Sequence, residues 1–97
     1  MNSIVACATG EEASALAVVR LSGSDAFSIA AKLSAEHEFK KFRQLELLLV
    51  SDSSGPLDRC LVVAFKGPRS FTGEDVVEFH LHGGPGLVEA VVQACIA

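Results

Sequence analysis

The sequence predicts an α+β fold with the element order β-β-α-β-β-β-α, a mixed or antiparallel sheet carrying two helices on one face. Three observations carry that expectation. Short runs rich in Val, Leu and Ile alternate with a period of two, and clusters of Gly, Pro and Ser punctuate them. Only two segments repeat apolar residues at helical spacing. At 97 residues, 49% apolar and 21% charged, the chain is expected to form one domain with a single core, and disorder is not expected.

Residues 3–9 read as a short strand and residues 16–22 as a second, with Gly10-Glu11-Glu12-Ala13-Ser14 looping between them. Ser24 is the expected N-cap of the first helix, with Asp25 in its first turn favouring the helix dipole. Ala26, Ile29, Ala30 and Leu33 supply one buried stripe. Residues 43–50 form a third strand, in which Leu45, Leu47 and Leu49 alternate against Gln44, Glu46 and Leu48. The cluster Ser51-Asp52-Ser53-Ser54-Gly55-Pro56 is a turn, and residues 59–66 return as the fourth strand of a hairpin. Residues 76–82 make a fifth strand, with Val77, Phe79 and Leu81 inward. Gly83-Gly84 breaks it, and Pro85 suits the first position of a second helix. That helix is expected to bury Leu87, Val88, Val91, Val92 and Cys95; it reaches Ala97 with no stop signal, so a fragment of something longer is the expectation.

The net charge of −4 argues against a nucleic-acid surface, because such affinity rests on Lys and Arg meeting phosphates. Lys40-Lys41-Phe42-Arg43 is the one basic cluster and reads as a solvated loop. Cys7, Cys60 and Cys95 are far apart and contain no Cys-x-x-Cys, so buried thiols are expected rather than disulfides or a zinc site. No signal peptide opens the chain, and no apolar run approaches the roughly 20 residues of a membrane span. A cytoplasmic, soluble protein without membrane contact is the expectation.

The chemistry concentrates in residues 70–85. Strand alternation projects Glu78, His80 and His82 to one side at roughly 7 Å steps. Such a row could line an organic-ligand pocket, could be the wet side of a strand, or could ligate a metal with its His-x-His pair. Gly83-Gly84-Pro85-Gly86 lacks the lysine and spacing of a phosphate-binding loop, so tight-turn geometry is its expected role. Arg20 stands in the apolar run Val18-Val19-Arg20-Leu21 and needs an anionic partner. Glu74, Asp75 or Glu78 would serve, and so would a carboxylate-bearing ligand. No Ser or Cys nucleophile has a visible His-acid arrangement.

Phe71-Thr72-Gly73-Glu74-Asp75, followed by His82-Gly83-Gly84-Pro85 and preceded by Ile4-Val5-Ala6 and Val19-Arg20-Leu21-Ser22-Gly23, closely resembles the N-terminal domain of the tRNA modification GTPase MnmE (TrmE) family. The likeness runs in order and spacing across essentially the whole chain. It implies one folate-binding and dimerisation domain over residues 1–97, similar to the folate-binding domain of aminomethyltransferases, with the family's helical and GTPase domains absent. It further implies homodimerisation and binding of 5-formyltetrahydrofolate or methylenetetrahydrofolate. The residues it assigns to that ligand are Arg20, Glu74, Asp75, Glu78, His80, His82, Gly83 and Gly84. Family members act with an FAD-dependent partner of the MnmG (GidA) type to install an aminomethyl-type group on C5 of the wobble uridine of tRNA. GTP, magnesium and potassium belong to their GTPase domain, so no catalytic residue is expected in this chain. A purely structural dimerisation module without ligand affinity is the alternative. Two departures stand out: residues 10–15 replace a glycine-rich run, and the family's later Pro-Gly-Glu-Phe and Asn-Gly-Lys segments are missing.

Overall fold

The computed structural model describes residues 4–7, 16–68 and 73–96. Its elements are β1 Ile4–Cys7, β2 Leu16–Ser22, α1 Ala26–Leu33, β3 Glu46–Asp52, β4 Gly55–Phe65, β5 Val76–His82 and α2 Pro85–Ile96. The expected order is present, and β2 and β5 start and stop where alternation and glycine breaks place them. All pairings are antiparallel, in the strand order β1-β2-β5-β4-β3, so the sheet is antiparallel and not mixed.

Strand β5 is central because its odd positions are all apolar. Val77, Phe79 and Leu81 are fully buried, and they meet Val19 and Leu21 of β2 with Cys60, Val62 and Ala64 of β4 in one core. Both helices cover this face. Helix α1 contributes Ala26, Ala30 and Leu33, and α2 contributes Val91 and Cys95. Burying a Phe or Leu this completely stabilises by about 1.5–3 kcal/mol each. Ile29, Leu87, Val88 and Val92 pack at the margin of the core.

Three local expectations are corrected. The N-cap of α1 is Asp25, not Ser24, and no side chain caps it. Ser24 is held inside a turn closed by the Ala26 N–H donating to Gly23 O at 3.2 Å, so the helix starts one residue later. Strand β3 spans Glu46–Asp52 where residues 43–50 were expected, and β4 begins at Gly55 where 59 was expected. The cause is a tighter turn: the Ser54 N–H donates to Asp52 Oδ1 at 2.8 Å, and Gly55 adopts φ +129°, a conformation open to glycine. A register irregularity between Val50 and Ser51 absorbs the difference.

The leucine alternation of β3 is real, and its phase turns Leu45, Leu47 and Leu49 away from the helices. Leu48 and Val50 face the core instead. Residues 34–45 hold more apolar structure than a polar linker, since Phe39 and Phe42 stack on Phe27 at 6.2 and 5.6 Å between ring centroids. His37 meets Glu46 at 3.3 Å and Phe39 edge-on. Within 40–43, Lys40, Lys41 and Arg43 are exposed as expected. The loop 10–14, with its departure from the family pattern, lies outside the described residues, as do Phe71 and Thr72. No helix among the described residues is long and apolar enough to cross a membrane.

Candidate functional site

The candidate site lies on the sheet face that no helix covers. Antiparallel register sets Arg20 of β2 opposite Glu78 of β5, and Val63 of β4 opposite Glu78 from the other side. The guanidinium grips one carboxylate oxygen: Arg20 Nε donates to Glu78 Oε2 at 2.8 Å, and a terminal nitrogen of the same fork lies 2.6 Å away. Glu78 Oε1 meets His80 Nε2 at 3.3 Å. Arg20, Glu78 and His80 are therefore one contiguous polar group set among β-branched and leucine side chains. The guanidinium is 30% exposed and the carboxylate 15%, so the group is reachable from one side only.

His82, two residues further along β5, belongs to a second group. The β4–β5 ladder ends at the Leu61–His80 pair, and beyond it Asp58 of β4 takes over. Its Oδ2 accepts the His82 backbone N–H at 3.0 Å, while Oδ1 lies 2.9 Å from His82 Nδ1. The sequence reading missed Asp58 because it stands at the entry to β4, inside what looked like the end of a turn; only the register between strands 24 residues apart finds it.

The remaining sequence candidates lie at the two ends of β5. Asp75 closes the connection from β4: its Oδ1 accepts the Gly67 N–H at 3.0 Å, and its carbonyl accepts the Gly23 N–H at 2.9 Å. Glu74 is exposed beside it. Gly83 and Gly84 lie at the opposite end, where Gly84 has φ +140° and its carbonyl accepts the first helical bond, from Val88 N–H. At roughly 3.4 Å per strand residue, Asp75 and Gly83 stand about 27 Å apart. The eight candidates thus form a line along β5, with Arg20, Glu78 and His80 at its middle, and they do not converge on one point within this chain.

Among the described residues, no three His, Cys, Asp or Glu side chains gather as a metal site. Cys60 and Cys95 are buried free thiols. Burial, with the nearby Asp58 charge adding to it, pushes the Cys60 thiol from 9.0 up to about 12. Burial alone takes Cys95 to about 11. Neither is a nucleophile near neutral pH.

The class defined so far is a small antiparallel α+β domain whose open sheet face carries an arginine–carboxylate–imidazole row. Comparison with known proteins is more specific. The family described as the GTP-binding protein TrmE N-terminus matches residues 3–97. The chain is 46% identical over 94 residues to the Homo sapiens 5-taurinomethyluridine-[tRNA] synthase subunit GTPB3, mitochondrial, covering 95% of this chain and 19% of that protein. It is 39% identical over 92 residues to the tRNA modification GTPase MnmE of Nitratiruptor sp., covering 95% and 20%. With the MnmE of Aliarcobacter butzleri the identity is 44% over 92 residues, covering 94% and 20%. The chain belongs to the TrmE N-terminal family, and it spans about a fifth of the length of these relatives.

Proposed function

We propose that this chain is the folate-binding and dimerising N-terminal domain of a tRNA modification GTPase, and that it holds a reduced, one-carbon-substituted folate against the open face of its sheet. The observation that carries the reading is the Arg20–Glu78–His80 group, set beside Val63 and Leu61 of β4 on the open face. The donor set fits the ligand. A pterin edge presents neighbouring N–H donors, which a carboxylate such as Glu78 meets in pairs, and the glutamate tail of folate presents carboxylates to a guanidinium. When bound, the folate would supply the one-carbon unit; Arg20 and Glu78 would orient it, and the leucines around them would exclude water from it.

The aminomethyl-type modification of the wobble uridine, the GTPase with its magnesium and potassium, and the FAD-dependent partner of the MnmG type are proposed for the whole protein to which such a domain belongs. A cytoplasmic site of action is proposed with them. Homodimerisation is proposed for this chain, supported by the exposed leucines of the same face.

Calorimetric titration of the purified chain with 5-formyltetrahydrofolate tests the reading. Saturable binding in the micromolar range, about −8 kcal/mol, with a tenfold or greater loss in Arg20→Ala is the expected outcome. Absence of heat from a folded, dimeric sample would leave assembly as the domain's role.

A further inference from the structure

We propose that Asp58 is a positioning residue, which holds His82 so that its Nε2 is presented outward as the acceptor for an N–H donor on the bound ligand; this rests on the reading of the open face as a reduced-folate site. An ionised carboxylate only accepts hydrogen bonds. With Asp58 Oδ1 at 2.9 Å and Oδ2 at 3.0 Å from His82 Nδ1, that nitrogen carries the proton, and in the neutral ring the lone pair is then on Nε2. The same carboxylate accepts the His82 backbone N–H, so strand end and ring are fixed by one group.

The division of exposure fits such a role. Asp58 is 13% exposed and His82 is 68% exposed, which places the fixed end inside and the working end outside. His80 is held the other way round, with its Nε2 facing Glu78 Oε1 and its ring 31% exposed against 68% for His82. Of the two histidines on β5, His82 is the more exposed. Capping the end of the β4–β5 ladder would by itself require only the bond to the backbone N–H. The contact to Nδ1 adds tautomer control, a feature that ligand recognition uses and stability does not need.

Long-range 1H–15N correlation of the imidazoles in the 15N-labelled chain, at a pH where the ring is neutral, decides between these roles. The expected spectrum has a pyrrole-type Nδ1 and a pyridine-type Nε2 at His82, reversing in Asp58→Ala towards the Nε2–H form that an unconstrained imidazole prefers. A wild-type His82 already in the Nε2–H form overturns the proposal, whether or not the variant folds. Titration with 5-formyltetrahydrofolate supplies the second arm. Asp58→Ala and His82→Ala are each expected to lose about tenfold in affinity, and the double variant no more than either. Further loss from Asp58→Ala in the His82→Ala background would show that Asp58 does not act through the ring. Wild-type chain that shows the Nδ1–H tautomer yet binds no folate would remove the folate reading and leave the positioning of His82 standing.

Discussion

Arg20 illustrates how far a single residue can be read. A cation in the apolar run Val18–Leu21 demands an anion, and strand register supplies it directly opposite at Glu78. Arg20→Ala leaves that largely covered carboxylate without its guanidinium and is expected to destabilise by about 1–3 kcal/mol, read as the shift in urea midpoint. Arg20→Lys should recover part of this, since it keeps the charge and loses the fork. Equal midpoints for all three proteins would reduce the pair to a surface contact. The thiols give a pH prediction. The unfolded chain loses Cys protons near 9.0, whereas the folded chain keeps them to about 11 at Cys95 and about 12 at Cys60. Between those values the unfolded state binds fewer protons, so stability falls as pH rises above about 9. Urea melts at pH 8 and 10.5 should show the loss, and a Cys60→Ala/Cys95→Ala variant, compared with its own value at pH 8, should show less of it. Asp58 marks the limit of residue-level reading: nothing near it in the chain names His82, 24 residues away, as its partner.

At the scale of elements, β2 and β5 were legible to the residue because alternation and flanking glycines agree. In β3 the period of two was legible and the phase was not. Leucine fills two outward positions there, with Leu45 just before them, while the inward row begins with Glu46, whose partner His37 comes from the preceding connection. The entry to β5 rests on Gly67, where backbone passes so close that a Cβ would stand 2.8 Å from Gly73 O and 2.9 Å from the Glu74 carbonyl carbon. Gly67→Ala must push backbone on both segments and strain the Asp75 bond, so a cost of about 1–3 kcal/mol is expected. In a domain of this size each kcal/mol lowers Tm by roughly 4–8 °C. Gly86→Ala is the matched control. A Cβ there meets nothing, and alanine in a helix is favoured over glycine by up to about 1 kcal/mol, so its Tm should hold or rise. A Gly67→Ala protein melting like wild type would show that the close approach relaxes freely.

At the scale of the molecule, the two layers leave one sheet face open, and an antiparallel sheet with a solvated face is ordinarily polar there. This one is not. Leu47 is 61% exposed, Leu45 56% and Leu61 42%, in a band beside the Arg20–Glu78–His80 group, with Ile4 at the far edge. A contiguous apolar band of this kind is expected where another surface covers it. The proposed homodimer supplies one whose copy of the band is identical, as a two-fold contact requires. The paired substitution Leu47→Lys/Leu61→Lys tests this without touching the core, because both side chains are already in water and exposed changes usually shift stability by within about 0.5 kcal/mol. Sedimentation equilibrium of the wild-type chain should show mass rising toward twice the monomer with concentration, and the variant should remain monomeric with an unchanged urea midpoint. A variant that still dimerises would move the interface off this face. Folate titration of the monomeric variant then locates the ligand: retained affinity places the whole site within one copy. Lost affinity means that the second copy completes it, as the spread of the candidate residues over about 27 Å along and beyond β5 leads one to expect.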